Sequence, residues 1–90
     1  VYSQESFLLF PFMIHDQIKL THDLVEIVKK LIRSSQVDSN SSTENLPQWD
    51  SLSYMAIISE VEVIYEVSVT QDNIEKFDSI KSIAKLILQK

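Results

Sequence analysis

The sequence predicts an all-α fold, a small bundle of three main helices plus one short helix. Three observations point there. The chain of 90 residues contains no glycine and only two prolines, so it lacks the positive-φ residues on which tight hairpins depend. Apolar residues recur at three- and four-residue spacing in three separate segments, the signature of amphipathic helices. Between the first two segments lies a long Ser-, Asn- and Asp-rich stretch whose side chains compete with helix. Ninety residues make one domain at most.

The first helix is expected from about Asp16 to Arg33. Leu20, Leu24, Ile27, Val28, Leu31 and Ile32 form one stripe. Lys29, Lys30 and Arg33 in its last turn complement the helix dipole, and Thr21 is a candidate cap for a shorter version. Residues 34–48 then form a loop, with Val37 and Leu46 as its anchors to the core. Its remainder reads as solvated chain. Asp50 or Ser51 caps a second helix reaching Tyr65 or Glu66, with Tyr54, Ile57, Ile58, Val61, Ile64 and Tyr65 facing inward. Val67-Ser68-Val69 alternates as a short extended piece. A short helix over Gln71 to Phe77 follows. The last helix starts after Asp78 or Ser79 and carries Ile80, Ile83, Ala84 and Ile87 on one face.

Residues 1–13 read as an extension ahead of the domain, and 14–90 as the domain itself. Met13 is a candidate natural start. The extension either was added to the domain, belongs to an upstream region, or packs as an arm on a neighbouring molecule. Its apolar run, Phe7 to Ile14, is too short to span a bilayer and is interrupted by Pro11.

Composition narrows the function classes. The net charge is −5, whereas nucleic-acid binding needs clustered Lys and Arg. From Asp50 to Glu75 there are six acidic residues and no basic one, a balance that favours basic partners. Without cysteine there is no disulfide and no native thiol. His15 and His22, with no organised carboxylates, make a poor metal site. No nucleophile–base pair is visible. No catalytic residue, metal, membrane or nucleic acid is therefore expected. Asn40-Ser41-Ser42 matches a glycosylation acceptor pattern, read here as coincidence. Trp49 reads as a packing residue at the helix entrance.

The informative stretch is Trp49-Asp50-Ser51-Leu52. Taken alone, Asp-Ser-Leu is a helix N-cap after a loop. Its position adds more. Ser51 sits where a long loop meets a helix N-terminus, a place that favours an attached phosphate. From about Asp16 to Leu88 the chain resembles the acyl carrier protein family. Asp50-Ser51-Leu52 falls on the family's attachment motif. Tyr65 falls on the aromatic that ends the second helix, Val67 and Val69 on the following buried aliphatics, and Ile80 to Ile87 on the closing helix.

The resemblance implies a four-helix bundle of acyl-carrier-protein type. It implies a 4′-phosphopantetheine arm, taken from coenzyme A and attached to Ser51 by a phosphopantetheinyl transferase. Asp50 would help position the transferase's metal, and Leu52 completes the motif. Acyl- or aminoacyl-loading and acyl-processing enzymes are the implied partners. They would meet Glu60, Glu62, Glu66 and the exposed Val63 on the second helix. The chain would be a cytoplasmic, monomeric carrier in fatty acid, polyketide or nonribosomal peptide biosynthesis, not an enzyme. Ser53, Ala56 and Val63 stand where fatty-acid carriers are often acidic, and Glu66 stands at a common glycine. These departures favour a dedicated carrier with its own partners. The alternative is a helical interaction domain that carries nothing.

Overall fold

The computed structural model describes residues 2–89, and their side chains from Asp16 onward. The described residues form three α-helices and one 3₁₀ helix, and no strand. Helix α1 spans Tyr2–Ile32, α2 spans Ser51–Tyr65, a 3₁₀ helix spans Ile74–Asp78 and α3 spans Ile80–Leu88. The all-α expectation holds at this level.

Helix α1 starts earlier than expected. It is continuous through residue 13, so the boundary drawn there falls inside a helix. The expected start at about Asp16 is therefore corrected to Tyr2. Thr21 is not a cap: its hydroxyl donates to the Gln17 carbonyl one turn back, as threonine does inside a helix. The helix ends as the sequence indicates, with Lys29 and Lys30 in its last turn. Arg33 then adopts φ 55°, and the Ser34 N–H reaches the Lys29 carbonyl at 3.2 Å. This bond satisfies a terminal carbonyl in a termination normally built on glycine.

The core forms where the helices face one another. Leu24 and Val28 of α1, Ile57 and Val61 of α2, Phe77 of the 3₁₀ helix, and Ile80 and Ile83 of α3 are completely buried. Each such side chain contributes about 1.5–3 kcal/mol relative to exposure. Val25 joins them, although it lies off the expected stripe. Ile64 does not: it is 49% exposed. It follows Ile57 by seven residues, and that step falls about 20° short of two full turns. The drift carries Ile64 from the buried face to its rim.

The loop is not merely solvated chain. Val37, Leu46 and Trp49 are buried, as is the polar Ser41. The Ser41 hydroxyl accepts the Asp38 N–H at 2.9 Å. The loop backbone is also paired. The Ile80 N–H donates to the Ser41 carbonyl at 3.1 Å, the Thr43 N–H donates to the Asp78 carbonyl at 2.9 Å, and Ser42 and Ser79 form an antiparallel bridge. The loop is thus held on the start of α3, whose own cap is the Ser79 hydroxyl bonded to the Ser82 N–H at 3.1 Å.

After α2 the chain turns at Glu66, which has φ 55°. Val67 is buried, Ser68 exposed and Val69 half-buried, the expected alternation, but this piece pairs with no strand. The expected helix over Gln71 to Phe77 appears later and tighter, as a turn followed by the 3₁₀ segment. Asn73 dictates that shape. Its side-chain oxygen accepts the Thr70 N–H at 2.7 Å and its amide donates to the Ser68 carbonyl at 3.0 Å. Such local bonds compete with regular helix.

Candidate functional site

The site is built by the clamp ahead of α2. Trp49 is 3% exposed and anchors the chain to the core. Its N–H donates to the Leu46 carbonyl at 2.9 Å. Asp50 is the N-cap, in extended conformation, and its Oδ1 accepts the Ser53 N–H at 2.9 Å. The Ser53 hydroxyl reaches back to the Gln48 carbonyl at 3.0 Å. Ser53 therefore ties both the cap and the loop end to the first turn. The sequence reading treated Ser53 only as a missing acidic residue. A serine three positions after an N-cap was the available signal.

Ser51 is the first residue of α2 and is exposed. Its hydroxyl makes no hydrogen bond to another described residue. A helix N-terminus directly behind it favours negative charge. The Asp50 carboxyl lies below its ordinary pKa, chiefly because it accepts the backbone N–H of Ser53. It is ionised at neutral pH and exposed. Ser51 is thus exposed at the helix N-terminus, with its hydroxyl unengaged.

Ser51 also lines an open groove of about 460 Å³, with Thr43, Trp49, Asp50, Tyr54 and Met55. The Tyr54 hydroxyl is occupied by the Ile74 carbonyl, so Tyr54 offers the groove only its ring. The Trp49 Nε1–H is sealed from solvent and has no acceptor. A buried donor left unpaired costs about 1–3 kcal/mol.

The rest of the outer face of α2 runs on from Ser51. Residues advance about 100° each around an α-helix. That rotation groups Leu52, Met55, Ser59, Glu62 and Val63 on one band pointing away from the core. Leu52 is 82% exposed, Val63 76% and Met55 55%. Helix α2 is thus apolar on both its buried and its outer face, and exposed apolar side chains at this density mark interaction surfaces. Val63 lies where the sequence reading placed it. Met55 was missed, because outward apolar residues are indistinguishable from core residues by type alone.

The acidic residues do not make one face. Glu62 is exposed at the edge of the apolar band. Glu60 is half-buried and, two residues away, projects from nearly the opposite side. Glu66 is exposed just past the helix end, in the left-handed conformation. Glu62 and Glu60 therefore flank the outer band on opposite edges: Glu62 on the edge that holds Ser51, Glu60 one turn before Val63 on the other.

Among the described residues there is no cluster of three or more metal-ligating side chains, and no helix is long and apolar enough to cross a membrane. His22 is exposed; the side chain of His15 lies outside those described. No protein-family model matches the chain, and no curated protein or solved structure shows significant similarity to it.

Proposed function

We propose that the chain is a carrier protein of acyl-carrier-protein type, holding acyl or aminoacyl groups as thioesters on a 4′-phosphopantetheine arm at Ser51. One observation carries this reading. Ser51 is an exposed, unengaged hydroxyl at a helix N-terminus, fixed by a clamped loop, with an apolar band leading away from it. A hydroxyl used only as a cap would be bonded to the helix. Here Asp50 does the capping and leaves Ser51 available.

In attachment, the Ser51 Oγ attacks the phosphorus of coenzyme A that bears pantetheine. A serine–phosphate ester bond forms, the pyrophosphate P–O bond breaks, 3′,5′-ADP leaves, and the serine proton passes to solvent or a transferase base. Ionised Asp50, beside the attacking oxygen, is suited to a transferase-bound Mg²⁺. The arm supplies the thiol that this cysteine-free chain lacks. Beyond presenting Ser51, the chain's part is to dock partners. Leu52, Met55 and Val63 supply apolar contact, and Glu62, with Glu66 beyond the helix end, supplies charge for Lys and Arg on phosphopantetheinyl transferase and on loading and processing enzymes. This reading places the chain in the cytoplasm as a monomer serving fatty acid, polyketide or nonribosomal peptide biosynthesis.

The test incubates the protein with coenzyme A, Mg²⁺ and a broad-specificity phosphopantetheinyl transferase, then measures intact mass. One added phosphopantetheine, absent in Ser51→Ala, supports the carrier reading. No addition by several transferases, with the helical fold intact, overturns it. The exposed apolar band of α2 would then favour the second reading, a helical interaction domain that carries nothing.

A further inference from the structure

We propose that the groove between α1 and α3 receives the C-terminal end of α2 from a second copy of the chain, and that two copies do this to each other when the protein is concentrated. The proposal does not depend on the carrier reading.

The groove has a volume of about 490 Å³ and shares no lining residue with the one at Ser51. Helix α3 contributes Lys81, Ala84, Lys85 and Leu88 to it, and α1 contributes Gln17 and Thr21. Ala84 is buried, and Leu88, 46% exposed, adds open apolar surface. Lys81 and Lys85 are exposed and one turn apart. Neither forms an ion pair with a described residue, whereas Lys19 and Lys29 are both paired. No acidic residue occurs from Ser79 to Gln89. The groove is thus apolar within and positively charged at its sides.

The complement is the end of α2. Val63 is 76% exposed there, and the helical rotation sets it between Glu60 and Glu62. Neither glutamate has an ion-pair partner among the described residues, and no basic residue occurs from Asp50 to Glu75. An apolar knob between carboxylates matches an apolar groove between lysines, a helix laid in a groove with opposite charges facing.

The two surfaces lie at one end of the molecule. Gln89 lines the α1–α3 groove and also a neighbouring one that Glu66 lines at the end of α2. Two copies meeting at these ends about a two-fold axis can each seat α2 in the other's groove, which closes the contact into a pair rather than an open chain. A patch of this size gives a weak, transient contact, so the monomer of the carrier reading is the dilute form of the same molecule.

The experiment follows the amide NMR signals of the unloaded chain through dilution from millimolar to micromolar concentration, at low and at high salt. At low salt, Lys81, Lys85 and Leu88 should shift on concentration together with Glu62 and Val63, and high salt should suppress these shifts. Lys81→Glu with Lys85→Glu should lose them, and so should Val63→Gln, a surface change that leaves the core intact. Isotope-labelled Lys81→Glu/Lys85→Glu mixed with unlabelled Glu60→Lys/Glu62→Lys should regain the shifts at Leu88, because the charges are exchanged. Signals that ignore concentration overturn the proposal, as does a silent mixture of the two exchanged variants when both retain the parent's circular dichroism. Shifts confined to Leu52 and Met55 also overturn it, because the copies would then meet band to band. No readout involves Ser51, so failure here leaves the carrier reading to its own test.

Discussion

The Tyr54 hydroxyl donates to the backbone carbonyl of Ile74, twenty residues further on. This bond fastens the first turn of α2 to the 3₁₀ helix and fixes the ring that walls the groove beside Ser51. Tyr54→Phe keeps the ring and removes the bond. It should lower stability by about 1 kcal/mol, read by urea unfolding. Burial, and then the charge of Asp78, hold the Tyr54 phenol above its ordinary pKa. A pKa raised in the folded state gives stability that is complete below the unfolded value of about 10 and is lost as pH rises through the folded one. The parent should therefore lose stability at alkaline pH more steeply than Tyr54→Phe. Equal alkaline slopes would contradict this assignment.

Asp50 behaves in the opposite sense. Its carboxyl is held below the ordinary range by the Ser53 N–H. A depressed folded pKa gives stability present above the unfolded value and lost as pH falls through the folded one. Asp50→Ala should melt at a lower temperature than the parent at neutral pH, and the gap should narrow in acid. Asp50→Asn should retain most of the cap while impairing loading at Ser51, because it cannot engage a transferase metal as an anion. Thermal melts across pH and loading kinetics separate the two effects.

Arg33 ends α1 in the left-handed region at φ 55°, where a Cβ costs about 1–2 kcal/mol. Arg33 is exposed. Arg33→Gly should therefore stabilise the protein by up to about 1 kcal/mol, after allowing for the greater freedom of glycine in the unfolded chain. A rise in the urea midpoint at constant slope would show it.

Glu60 and Glu62 should differ as partner contacts. Glu62 is exposed on the edge of the apolar band that holds Ser51, and Glu60 is half-buried on the opposite edge, beside Val63. Charge reversal at Glu62 should slow loading of Ser51 by roughly tenfold, the effect of about 1.4 kcal/mol, and reversal at Glu60 should have much less effect. Circular dichroism should be unchanged in Glu62→Lys. Equal slowing by both substitutions would mean that the partner does not favour the edge of the band that holds Ser51.

The sequence made the three long helical segments legible, because Leu24, Val28, Ile57, Val61, Ile80 and Ile83 follow the helical period and all are fully buried. Val37 and Leu46 stood out as isolated apolar residues in a polar stretch, and both are core anchors. The start of α1 was hidden because neither a cap nor one clean stripe marks it. Ile64 was misread because an ideal period ignores the slow drift of a helix face. The candidate site was half legible. Asp50-Ser51-Leu52 could be located by motif, and Val63 through the resemblance, as an apolar residue at a position often acidic in fatty-acid carriers. The grip of Ser53 on Gln48 is local and carried a signal in the serine three positions after the cap, but the seating of the loop on α3 depends on contacts between distant parts of the chain. Composition does not encode these.

That seating has a consequence for the order in which the molecule matures. The Ser41 carbonyl is satisfied by Ile80 and the Thr43 N–H by Asp78, so the loop that delivers Ser51, although turned locally by its own side chains, is seated only after residues 78–80 have arrived. During synthesis the serine emerges before the residues that hold it in place. A chain still lacking α3 presents an unseated loop there, and on the carrier reading a transferase that recognises the seated form would modify only molecules in which α3 has docked. On that reading, attachment at Ser51 would report that α3 is in place.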